Sequence, residues 1–143
     1  MRTFGVALLA LSTLTALGQK DKGDLARLID RAKTAPVEQK PRLCIEIAER
    51  EVASADRLIS ADQLSQARAA VDTAVTYADQ SSNAAIQSGK RLKDTEIAMR
   101  KMSIKLRDMK RKLPLEDQTP LQQASDHLEL LRTNLLKHMF NKK

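Results

Sequence analysis

Apolar residues recur along this chain at steps of three and four, the spacing that gathers side chains on one side of an α-helix. Leu25, Leu28, Ile29 and Ala32 predict a short first helix from about Lys22 to Thr34, which Ala35-Pro36 ends. Pro36 and Pro41 fall close to the start of a second helix over about 37–59, where proline is tolerated, and its stripe is Cys44, Ile47, Ala48, Val52, Ala55, Leu58 and Ile59. Ser60-Ala61-Asp62 reads as a turn, with Ser60 or Asp62 as the cap of the helix that follows. Thr119-Pro120 reads as a cap and first residue of a last helix over about 120–140, whose stripe is Leu121, Ala124, Leu128, Leu131, Leu135 and Met139.

The stretch between these helices is the most regular. Leu64, Ala67, Val71, Ala74, Ala78, Ser81, Ala85, Ser88, Leu92, Thr95, Met99, Met102, Leu106, Met109 and Leu113 keep one heptad phase without a skip. That continuity predicts one uninterrupted helix over about 62–112, roughly 75 Å long at 1.5 Å per residue, closed by Leu113-Pro114. The expected fold is all-α: an elongated antiparallel helical bundle or coiled coil with this long central helix, flanked by the helices at 37–59 and 120–140. The second helix would fold back along the Ala/Ser half and the last along the Met/Leu half. The alternative is a compact four-helix bundle broken near Gly89, since an interior glycine costs only about 1 kcal/mol.

The opening residues change where this domain is expected to work. Met1-Arg2-Thr3 precede a weakly polar to apolar run from Phe4 to Leu17, followed by Ala16-Leu17-Gly18 and the polar Gln19-Lys20. A positive start, a short apolar run and small residues at the cleavage positions are the order of a secretory leader over 1–18, cut near Gly18. The remaining 19–143 forms a single helical domain, exported to the periplasm or secreted. The run is short of the roughly 20 apolar residues a bilayer span needs, and no later segment of the mature chain reads as transmembrane.

Composition narrows the packing. Past the leader only Tyr77 and Phe140 are aromatic, and alanine is abundant, so the core is thin and suits helices packed closely along their lengths. Cys44 is the sole cysteine, which excludes an intramolecular disulfide and fits a small, half-buried apolar position.

Charge is uneven. Between Lys90 and Lys112 lie Lys90, Arg91, Lys93, Arg100, Lys101, Lys105, Arg107, Lys110, Arg111 and Lys112, against only Asp94, Glu96 and Asp108. The segments on either side are nearly balanced. Lys93, Arg100, Lys101, Lys105, Arg107, Lys110 and Arg111 are therefore candidates for contact with an anionic surface or polymer. Ile97 and Ile104 lie opposite the Met99/Leu106 seam among these cations, seven residues apart, and are candidates for self-association or for contact with a protein partner. No aromatic residue lies in the stretch to stack bases, so no specific nucleic acid is expected.

Catalytic chemistry finds no foothold. His127 and His138 are eleven residues apart on one helix, three turns from each other and too distant to share a metal. Two histidines and one cysteine do not assemble a nucleophile pair, and past the leader Gly23 and Gly89 are the only glycines, too few for a phosphate loop. Glu46, Glu49 and Glu51 surround Arg42 and Arg50 as ion pairs of a solvated helix face do. Met99, Met102 and Met109, at heptad spacing, are core residues before they are metal ligands. We expect no catalytic, cofactor or metal site, and no enzyme.

Two resemblances bear on function. Ala55, Leu58, Ala67, Val71 and Ala74 resemble the packing positions of one tetratricopeptide hairpin over about Arg42 to Asp79, which implies an adaptor; no second copy follows a repeat-length later. A leader on a basic, long-helixed chain of this size is similar in kind to periplasmic holdase chaperones, which implies binding of unfolded clients, although no strand segments of the sort that family carries are present here. The leading expectation is an exported, non-catalytic interaction or structural module that contacts an anionic partner through 90–112.

Overall fold

Ser88-Gly89 is a helix-ending signal, and the backbone obeys it. Gly89 adopts φ 67°, its N–H donates to the Ala85 carbonyl, and the Ser88 hydroxyl accepts from the Lys90 N–H at 3.2 Å. A left-handed residue just past the last helical turn is the commonest way to close a helix, and a side chain there would cost roughly 1–2 kcal/mol. Arg91 is also left-handed, at φ 58°, so the chain reverses within three residues.

The computed structural model describes residues 15–141, with side chains from residue 22 on. Of the leader expected over 1–18, residues 1–14 lie outside this range. Five α-helices and no strand are found among the described residues: α1 (Thr15–Thr34), α2 (Lys40–Ser60), α3 (Leu64–Ser88), α4 (Leu92–Lys110) and α5 (Thr119–Phe140), with a 3-10 turn at Leu115–Asp117 before α5. The single helix expected over 62–112 is thus two. The caps differ as well: Asp62 takes a left-handed φ of 57° instead of capping α3, Gln63 holds that position without a side-chain bond, and Thr119 is already helical. Gln118 closes the entry to α5 by donating from its side chain to the Leu113 carbonyl at 2.9 Å.

Neighbouring helices reverse direction in turn. Ser81 donates to the Pro41 carbonyl at 2.7 Å and Cys44 lies 3.9 Å from Gln80, so α3 runs back along α2. Ser103 and Ser125 share a buried hydroxyl contact of 3.0 Å, and Arg132 bonds Glu96, so α5 runs back along α4. The two hairpins then meet side by side, α2 against α4 and α3 against α5. In both of these lateral pairs the helices point the same way: Asp56 reaches Lys105 and Lys112 near the ends of α2 and α4, and Asp79 reaches His127 along α3 and α5.

The heptad seam is the core. Ala67, Val71, Ala74, Ala78, Ser81 and Ala85 of α3, and Leu92, Thr95, Met99, Met102, Leu106 and Met109 of α4, are all buried, together with Ala48, Val52, Ala55 and Ile59 of α2 and Leu121, Leu128, Leu131 and Leu135 of α5. The α2–α3 half is built on alanine, which brings backbones close; the α4–α5 half is built on Met and Leu. A second, smaller cluster fixes α1: Leu28 and Ala32 pack on Leu43, Cys44 and Ile47, with Tyr77 of α3 at its edge.

Candidate functional site

On α4 and in the turn that directly follows it, position in the heptad decides which neighbour a cation meets. With Leu92, Met99 and Leu106 as a and Thr95, Met102 and Met109 as d, the flanking e positions are Glu96, Ser103 and Lys110, and the g positions are Ala98, Lys105 and Lys112. Each set meets one neighbouring helix. The e residues face α5, where Glu96 accepts from Arg132 at 2.7 Å, Ser103 meets Ser125, and Lys110 donates to Gln122 at 2.6 Å. The g residues face α2, where Lys105 and Lys112 donate to the two oxygens of Asp56 at 2.8 and 2.9 Å.

The two contacts differ in kind. Glu96 is buried, and its carboxylate is matched by Arg132, which also reaches Glu129 at 3.3 Å; Arg107 approaches Glu129 from α4 at 3.6 Å. A buried carboxylate needs such a partner, because without one its desolvation is not offset. The Asp56 clasp is more open. The hydrogen bonds from Lys105 and Lys112 hold the Asp56 carboxyl below the usual carboxylate range, and their charges act in the same direction.

This makes the lateral α2–α4 contact acid-sensitive. The folded protein binds a proton at Asp56 less readily than the unfolded chain does, so the clasp contributes stability above the unfolded value of about 3.9. That contribution is lost as pH falls through the lower, folded value. Asp56→Asn should lower the thermal midpoint at neutral pH and flatten its decline below about pH 4. Thermal unfolding followed by circular dichroism across that range measures both; an acid limb identical to the parent's would remove Asp56 from the account.

The candidate residues on 90–112 therefore separate into two groups. Lys105 and Lys110 are engaged with other helices, and Arg107 is drawn toward Glu129. Arg111 pairs with Asp108 at 3.5 Å but remains largely exposed, where such pairs contribute little. Lys93, Arg100 and Lys101 are exposed and enter no ion pair among the described residues. Ile104, 47% exposed, and the half-buried Ile97 share the outward face with Lys93, Arg100 and Arg111. Lys101 stands beside Glu49 of α2, whose carboxyl is pushed up by burial and by Glu46 against the pull of Lys101.

Asp56, Glu96 and Arg132 were not singled out from the sequence. The signal that could have found Glu96 is its e position beside an apolar seam, and for Lys105 and Lys112 their shared g register. Asp56 and Arg132 carry no such mark, because their roles depend on which helix lies next to them.

The remaining polar groups do not converge. His127 Nε2 lies 2.7 Å from Asp79 across α3 and α5, while His138 contacts the Asn134 carbonyl of its own helix at 2.8 Å. Cys44 is buried, and burial pushes its thiol up against the lowering effect of Lys40, which makes it a poor nucleophile. Among the described residues no group of three or more His, Cys, Asp or Glu side chains is placed to hold a metal ion, and no helix is long and apolar enough to cross a membrane. Comparison with protein-family models, with curated proteins and with solved structures finds no match to this chain.

Proposed function

We propose that this chain is an exported, non-catalytic interaction protein whose outward α4 face meets an anionic partner. In this reading a leader over 1–18 directs it to the periplasm or the exterior. The helices α2 to α5 act as one four-helix bundle, braced by α1. The carrying observation is that Lys93 and Arg100 are exposed on α4 outside every ion pair among the described residues, with Arg111 beside them only loosely paired. Cations with their own carboxylate partners are already satisfied; these keep their field for a ligand.

A charge-matched comparison tests the reading. Lys93→Glu/Arg100→Glu/Arg111→Glu should weaken binding to an immobilised anionic polymer at low salt by at least about tenfold. Arg27→Glu/Arg31→Glu/Lys33→Glu makes the same change in net charge on exposed positions of α1 and should weaken it far less. Equal losses from the two triples would mean that net charge alone governs binding, and the α4 face would lose its role.

A further inference from the structure

The outward stripe of α4 is not purely cationic. Lys93, Ile97, Arg100, Ile104, Arg107 and Arg111 follow one another at steps of three and four, so two branched aliphatic side chains are set between guanidinium and ammonium groups on one face. All but Arg111, which caps its C-terminal end, lie on the 19 unbroken residues of α4. We infer that this face lies on a membrane surface rich in anionic phospholipid, with the helix parallel to the plane. The inference rests on the reading that α4 meets an anion, and it names which kind.

Charge and apolar groups together point to lipid. A soluble polyanion interacts with Lys93, Arg100 and Arg111 but leaves Ile104 and the uncovered part of the half-buried Ile97 in water. A headgroup layer rewards both: phosphates take the cations while the acyl boundary takes the isoleucines. The long Lys and Arg stems keep their charges at headgroup level while shorter branched side chains sink below them. The exposed carboxylates on α4, Asp94 and Asp108, each lie 3.5 Å from an arginine, Arg91 and Arg111, so they add little repulsion. One uninterrupted helix and the residue that caps it offer a plane all of these contacts at once. No aromatic side chain on α4 offers a stacking platform for bases.

The experiment uses the protein purified after expression with its own leader, together with Arg100→Glu and the double variant Ile97→Ser/Ile104→Ser, each shown by thermal unfolding to be folded. Three probes are compared at low salt: phosphatidylcholine vesicles, phosphatidylcholine vesicles mixed with phosphatidylglycerol, and polyphosphate in solution. The protein should sediment with the phosphatidylglycerol vesicles and not with phosphatidylcholine alone. Arg100→Glu should lower that partitioning about twenty-fivefold, a change of two charge units at about fivefold each. Ile97→Ser/Ile104→Ser should lower it about tenfold and leave polyphosphate binding unchanged. Polyphosphate binding that Arg100→Glu reduces, with vesicles of both kinds left unbound, overturns the membrane inference and preserves the anionic reading of α4. Vesicle binding that the double isoleucine variant does not diminish also overturns it. Failure to bind any of the three removes both.

Discussion

Leu106→Ala should lower the unfolding free energy by about 2–5 kcal/mol, while Ile104→Ala, two residues away on the same helix, changes it by no more than about 0.5 kcal/mol. Leu106 is fully buried at an a position, within a cluster that includes Met99, Met102, Met109, Leu128 and Leu135. Truncation there removes apolar contact and leaves a cavity that helices anchored by Glu96–Arg132 and Ser103–Ser125 close only in part. Ile104 is 47% exposed and supports no such cluster. Urea unfolding of the two variants beside the parent reads the difference directly. Equal midpoint shifts would mean that the apolar seam does not hold α4 against its neighbours.

The opposite substitution should damage the other half of the core. Ala78→Leu places a large side chain where α2 and α3 approach over alanine, at a residue with no exposed surface. Overpacking of this kind costs typically about 1–3 kcal/mol, since the backbones must separate or the new side chain must leave its preferred rotamer. Ala69→Leu, exposed on the same helix, is the control and should be nearly neutral. The same urea measurement compares them, and a stable Ala78→Leu would show that the α2–α3 contact has room to spare. The two experiments together distinguish a half that fails when its side chains shrink from a half that fails when they grow.

The central stripe of each helix's buried face could be read from the order of residues, because burial follows helical period and period is written in the chain, whereas Ala70, Ala84, Glu96, Ala98 and Ser103 are buried beside that stripe by their neighbouring helices. Leu92, Met102 and Leu106 are enclosed and Ile104 is not, as their heptad positions require. The break at Gly89 could not be read from that pattern. In a hairpin the seams on both sides of the turn point into one core, and the three-residue turn Gly89–Arg91 leaves Ser88, Leu92 and Thr95 at the same steps of four and three that a straight helix would have. Register therefore does not distinguish a rod from a hairpin; the Ser88-Gly89 cap does, and it is a local backbone preference that periodicity ignores.

The outward face shows the same division. Lys93, Arg100 and Ile104 fall at positions remote from the seam, and their exposure is a matter of helix geometry. Lys105 and Lys110 border it, and only the identity of the adjacent helix decides that one meets Asp56 and the other Gln122. Counting charge along the segment groups these residues with Lys93 and Arg100; placing them around the helix separates them.

The alternation of short reversals has a kinetic side. Only Ala61–Gln63 separate α2 from α3 and only Gly89–Arg91 separate α3 from α4, so each stretch of buried surface finds its mate close by in the chain. Little chain entropy is spent on closing such loops, and topologies dominated by near-neighbour pairing cross their folding barrier quickly. A newly made chain that pairs its segments in order of synthesis exposes its alanine and methionine surfaces only briefly, which limits the time available for association with other unfinished chains.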